Sequence, residues 1–371
     1  MKGKNRDNIA SNNIKYISGI KGFACVMVML GHYLAVYKYA EEFPIRIGIL
    51  DSLLNSKLNF LLNESYYLYL FFIVSGYLIA RSSISSLYAL VQKIVIRFLR
   101  LGVPILCSST IIFVLCIKGI GMHNAETNIL FANDFFQNNY YDIPITIEHL
   151  LYSPLDSLLL GEAIINPPYW CLKGMFIASI IIYVVGYLWH KFEKKPMIQT
   201  SLIFLAIIAS LRFSFDGVRT ACLVGMALQK FEEKKEDLSN SSTFAFWMVA
   251  SSILLYIYEE RIMCAILFAV LIFYIPKWKV SKDVLSSKPF QFLGDISWGI
   301  YSFHYPILSS VGALLILHVK TNVLLACIIG IGVSMVLSIL LAIMYRYTLE
   351  ILISKWIGSL KKLKFEHTRS R

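Results

Sequence analysis

The sequence predicts an all-α, polytopic transmembrane helical bundle of about ten spans, with both termini cytoplasmic. Three observations carry this reading. Of 371 residues, 57% are hydrophobic and only 16% are charged, and the mean hydropathy is +0.64. A soluble domain carries roughly 45–50% apolar and about 25% charged residues. Next, ten apolar stretches lie near 20–39, 65–82, 97–119, 170–189, 197–213, 216–231, 243–258, 262–276, 292–317 and 322–347, and a helix needs about 20 mostly apolar residues to cross a bilayer. Finally, with both ends inside, 26 of the 35 Lys and Arg residues fall on inner segments and nine on outer ones, the asymmetry that sets orientation in membranes. This balance excludes a disordered chain, a disulfide scaffold and an ordinary cytosolic enzyme. It also explains the formal charge of +12 as topology, so no nucleic-acid partner is expected.

The spans follow in order within one integral membrane domain, 1–371. A cytoplasmic tail, 1–15, precedes the first span. That span has a basic start but no clean cleavage site, so it is expected to be retained. Most spans are interrupted by Gly, Ser or a lone charge, as in helices that face protein on one side. The longest segment between spans, 120–169, lies outside. Its run NDFFQNNYYD at 133–142 sets aromatic rings beside amides and two carboxylates, a mixture suited to sugars, and an interfacial helix is expected near 145–160. A basic cytoplasmic tail, 348–371, ends the chain. The seven cysteines all fall in apolar stretches and none forms a CxxC pair. They read as small buried hydrophobes, and no metal site is expected.

Polar groups inside spans are costly and mark candidate function. His32 is the clearest, since imidazole exchanges protons near neutral pH. Lys21 stands eleven residues earlier on the same helix, about three turns and roughly 16 Å below, a separation suited to the two ends of one long ligand. Lys93, Arg97 and Arg100 recur at helical spacing and form a basic stripe at the inner surface, able to grip phosphates or anionic lipid. Ser75 and Gly76 form a small pair that permits close packing. Tyr169 and Trp170, after Pro167 and Pro168, belong at the outer interface. Ser297, Tyr301 and His304 share one helix, bent after Pro306. Taken alone, His304 reads as structural.

These segments resemble the membrane-bound acyltransferase 3 family. The opening Ser18-Gly19-Ile20-Lys21-Gly22-Phe23-Ala24, followed by His32, is similar to the family's D-G-L-R-G-x-A and histidine. Phe71 to Leu78 resembles F-F-x-x-S-G-[FY]-L. Arg97, Arg100 and Pro104 resemble R-x-x-R-x-x-P, with the proline one residue later. Trp170 to Met175 resembles W-x-L-x-x-E. Phe292 to Leu308 resembles L-G-x-[IS]-S-Y-x-[IL]-Y-L-x-H-x-P. The resemblance runs from 16 to about 345. Three positions depart from it: Ser18 replaces an acid, Lys21 an arginine and Met175 a glutamate. Lysine keeps the charge without the bidentate fork. Glu64, Asp142 and Glu148 are candidates for the missing carboxylate.

The resemblance implies an O-acyltransferase that moves an acyl group, usually acetyl, from acyl-CoA to sugar hydroxyls of surface polysaccharides or lipid-linked glycans in a bacterial inner or plasma membrane. His32 is the implied catalytic residue, acting as general base or as acyl carrier. Lys21, Arg97 and Arg100 are expected to hold the acetyl-CoA phosphates. Tyr169, Trp170, Ser297, Tyr301 and His304 are expected on the acceptor side. Two alternatives suit the same features. One is a transporter of a lipid-linked sugar or small solute, although the two halves show no internal repeat; the other is a catalytically degenerate member. Acyl-CoA, a glycan acceptor and membrane lipid are the expected partners, and the oligomeric state is left open.

Overall fold

Helix accounts for about 89% of the described residues, and no strand occurs among them. The computed structural model describes residues 2–38, 52, 56, 64–120, 145–213, 217–232, 270, 279–319, 323–356 and 358–359. The spans expected at 243–258 and 262–276 lie outside these residues, apart from residue 270. In chain order the helices are α1 (Lys2–Lys38), α2 (Glu64–Ala80), α3 (Leu87–Ile117), α4 (Ile147–Leu155), α5 (Leu172–Lys191), α6 (Pro196–Phe213), α7 (Val218–Glu232), α8 (Lys279–Leu285), α9 (Lys288–Ile307), α10 (Ala313–His318) and α11 (Val323–Tyr345). Five stretches are long and apolar enough to cross a membrane: Lys15–Leu34, Leu87–Ile117, Pro167–Lys191, Lys288–His318 and Leu325–Trp356. Glu64–Ala80 and Pro196–Arg212 are shorter apolar helices. The chain is thus a multi-pass, all-α membrane protein.

The third expected span starts ten residues too late. Its helix begins at Leu87, where the Ser86 hydroxyl accepts from the Ala89 amide at 3.1 Å, so the cap and not the first dense apolar run sets the boundary. A helix is present in the 145–160 region as α4, extended by a wide π turn at Asp156–Leu160. Thr146 and His149 close a capping box at its start. Gly161 ends it at φ +83°, with Lys173 Nζ donating to the Leu160 carbonyl at 2.9 Å.

Lipid tails are as apolar as leucine, so helices in a membrane associate through close packing at small residues. Gly76 of α2 lies against the backbone of Cys222 in α7. A Cβ there would fall 2.6 Å from the Cys222 carbonyl carbon. Helices α1 and α9 meet the same way at Gly22 and Gly294. A Cβ on Gly22 would come within 2.6 Å of Leu293 C and 2.8 Å of Leu293 Cβ. Gly332 of α11 has nothing within 4 Å of such a Cβ. We therefore expect Gly22→Ala to destabilise the bundle by about 1–3 kcal/mol through overpacking, while Gly332→Ala is neutral. Thermal unfolding in detergent checks this, and equal midpoints for the two variants would remove the α1–α9 contact from the account.

Candidate functional site

Two polar levels cross the bundle. The lower is a cavity of about 340 Å³ walled by Lys21 of α1, Arg97 and Arg100 of α3, Met175 of α5, and Arg346 and Glu350 of the wide turn after α11. Four cations thus converge there from three different elements. Arg97 is held by donation from its Nε to Ser179 Oγ at 3.1 Å, and that hydroxyl donates to the Met175 carbonyl at 2.7 Å. Arg346 pairs with Glu350 at 3.0 Å and reaches Asp295 at 4.0 Å.

The upper level is a pair of histidines. His32 Nδ1 lies 2.9 Å from His304 Nε2, the rings stacked with centroids 5.0 Å apart. Tyr33 ties the three helices around them: its hydroxyl donates to the His304 carbonyl at 3.2 Å and meets Ser338 Oγ of α11 at 3.0 Å. At 1.5 Å per residue the two levels are roughly 14–16 Å apart, counted from Lys21 to His32 on α1 or from Asp295 to His304 on α9. Aromatic rings fill the interval. Phe71 faces Lys21 Nζ at 5.9 Å and stacks on Tyr301 at 5.9 Å. Tyr301 stacks on Trp298 at 5.6 Å and lies 6.0 Å from His304.

The hydrogen bonds assign the protons of the pair. His304 Nδ1 sits 3.0 Å from the Ile300 carbonyl and 2.9 Å from the Tyr301 carbonyl. Carbonyls only accept, so Nδ1 carries the proton. With both rings neutral, His304 Nε2 then accepts, and His32 Nδ1 donates to it. That leaves the lone pair on His32 Nε2. His304 is fully buried while His32 is half-buried, so His32 is the accessible member. His304 therefore does for His32 what an orienting carboxylate does in other sites: it fixes the tautomer.

The backbone around His304 is built for this. Pro306 has no N–H to give the carbonyl of Ser302 four residues earlier. Asn166 Nδ2, from the segment before α5, donates to that carbonyl at 3.0 Å instead. A wide π turn at Leu308–Gly312 follows, the kind of irregularity found often at functional sites.

The remaining expected site residues are divided. Tyr301 lies between the levels, with its hydroxyl donating to the Pro168 carbonyl and 3.0 Å from Cys171 Sγ. Ser297 is buried, and its hydroxyl donates to Gly294 in its own helix at 2.8 Å. Tyr169 is buried with its hydroxyl 2.7 Å from Ser108 Oγ, whereas Trp170 is 40% exposed. Lys93 does not line the cavity that holds Arg97 and Arg100. Ser18 packs on Gly294. Glu64 starts α2 against Gly31, beside His32; Glu148 is exposed on α4; Asp142 lies outside the described residues. Of the cysteines, Cys25, Cys171, Cys222 and Cys327 are buried, and Cys107 and Cys116 are half-buried. Sequence reasoning missed Arg346, which entered only the count of inner basic residues.

A family model described as an acyltransferase domain matches residues 14–343. The chain belongs to the acyltransferase 3 family. No curated protein and no solved structure matches it. The matched stretch holds both histidines, Lys21, Arg97, Arg100 and Met175, while Arg346 and Glu350 lie just beyond its end. As a family member with several apolar helices, the protein fits a membrane acyltransferase. Met175 lines the cation-lined cavity, so the departure from the expected glutamate falls on the lower level.

Proposed function

We propose that this protein is an integral membrane O-acyltransferase that moves an acetyl group from acetyl-CoA to a hydroxyl of a cell-surface polysaccharide or lipid-linked glycan. It would span the cell membrane about ten times with both termini cytoplasmic. One observation carries the proposal: four cations gathered in one cavity, and a tautomer-fixed histidine pair roughly 14–16 Å away, with α1 carrying a member of each. The phosphates of the donor are anions that Arg97, Arg100, Lys21 and Arg346 would pair with. A pantetheine arm has about the reach needed to bring a thioester from there to His32, past the rings of Phe71 and Tyr301. His32 Nε2 takes the proton of the acceptor hydroxyl, the oxygen attacks the thioester carbonyl, and the carbon–sulfur bond breaks. The proton then passes to the leaving thiolate. His304 is a positioning residue in this scheme. The cavity sets four cations against one lining carboxylate, Glu350, and this excess of positive charge favours binding of a polyanionic donor.

The test is transfer of radiolabelled acetyl groups. Membranes holding the protein are incubated with acetyl-labelled acetyl-CoA and host glycan. Label in the glycan, absent without thioester and absent from membranes lacking the protein, is the expected result. Binding of acetyl-CoA to the purified protein is measured beside it. Absence of both binding and transfer would overturn the reading. Label accumulating on the protein before glycan is added would assign His32 the acyl-carrier route.

A further inference from the structure

A second polar site lies between α3, α4 and the segment before α5, one hydrogen bond from the helix that carries His304. It is a small pocket, about 10 Å³, bounded by Ser109, His149, Asp156, Glu162, Asn166 and Tyr169. Two of its walls are buried polar groups without a partner: Ser109 Oγ and Asn166 Oδ1, on residues 0% and 1% exposed. A buried polar atom left unpaired costs about 1–3 kcal/mol, so such a pair facing a void calls for a ligand. The void suits one water or one hydroxyl group. A hydroxyl both donates and accepts, matching the Asn166 amide oxygen and the Ser109 hydroxyl together. Asp156, half-buried, and Glu162, exposed, offer further acceptors at the rim. Burial, then Glu162, raises the Asp156 carboxyl above its ordinary range. The rim carboxylates are hydrogen-bond acceptors that suit hydroxyl donors.

Helix α4 and its π extension make this wall amphipathic. Ile147, Leu151, Leu155 and Leu159 recur every four residues and are exposed, as on the membrane-facing side of an interfacial helix. His149, Ser153, Asp156 and Ser157 of the same segment line the pocket. The same segment thus presents an apolar exterior on one side and walls a hydroxyl-sized polar hole on the other. Asn166, which lines the hole, also holds the Ser302 carbonyl two residues before His304.

We propose that this pocket anchors one hydroxyl of a membrane-tethered sugar, and so is the subsite that positions the acceptor beside the histidine pair. The inference rests on the acyltransferase reading above and names the acceptor as a lipid-linked glycoside. Asn166 is unsuitable for mutation because its amide nitrogen holds the backbone. Ser109→Ala removes an unpaired hydroxyl and Asp156→Asn keeps the shape of its side chain, so the double variant is expected to fold.

The experiment uses the full-length protein in phosphatidylcholine nanodiscs. Equilibrium binding is measured for four radiolabelled octyl glycosides: glucoside, galactoside, mannoside and N-acetylglucosaminide. At least one is expected to bind saturably, to resist competition by octanol, and to bind about tenfold or more weakly to S109A/D156N. Acetyl-CoA binding to that variant is expected to be unchanged. If none of the four binds, if octanol competes as well as the glycoside, or if the variant binds like the parent, the pocket holds water only and the proposal falls. Glycoside binding without any acetyl-CoA binding would sink the acyltransferase reading and leave the sugar site standing; the reverse outcome sinks the sugar site alone.

Discussion

His32→Ala is expected to lower acetyl transfer by about 10²–10⁴-fold, the usual contribution of a positioned general base, while acetyl-CoA still binds. The reason is geometric. Only His32 Nε2 combines a free lone pair with access, because its Nδ1 proton is committed to His304 across 2.9 Å. The partner gives a second, graded expectation. His304→Ala frees His32 to adopt either tautomer, so kcat falls with little change in KM and the pH dependence of kcat moves. His304→Gln restores part of the rate, since its amide oxygen accepts the same Nδ1 proton. A merely structural role for His304 would not be rescued by glutamine and would leave the pH profile of surviving enzyme where it was. Undiminished transfer by His32→Ala would end the assignment.

Arg97→Ala should raise the KM for acetyl-CoA by about 10–100-fold, with kcat changed much less. A hydrogen bond to a charged group contributes about 1.5–3 kcal/mol, and each 1.4 kcal/mol is tenfold in affinity. Arg97 is fixed by Ser179 before any ligand arrives, so little ordering is needed on binding. Lys93→Ala serves as the control. It belongs to the same basic stripe but does not line the cavity, and its KM is expected to match the parent. Equal effects of the two variants on donor affinity would mean that the stripe acts through its general field on the membrane surface.

The helical class and the long apolar helices were legible in the sequence because a bilayer imposes length and polarity on every span. The helix boundaries were less so. The start of α3 depends on Ser86 as a cap, a local signal that hydropathy does not weigh. The lower level was half legible: Lys21, Arg97 and Arg100 stood out by charge and spacing, but Arg346 comes from the far end of the chain and only folding brings it to them. The histidine pair shows the same limit. His32 was conspicuous as a lone titratable group in an apolar run, yet His304 read as structural because its partner is 272 residues away. Ser297 shared a helix face with the right residues, but its hydroxyl is consumed within its own helix, which no spacing reveals.

That separation of 272 residues has a consequence for biosynthesis. The first helix enters the membrane early, with one imidazole in place and nothing to orient it. At roughly 5–20 residues per second, the ribosome needs about 14–54 s more to deliver the second imidazole. Until then the nascent chain has no assembled proton acceptor. On the acyltransferase reading, a truncated product ending before α9 would hold a lone imidazole with no partner to fix its tautomer.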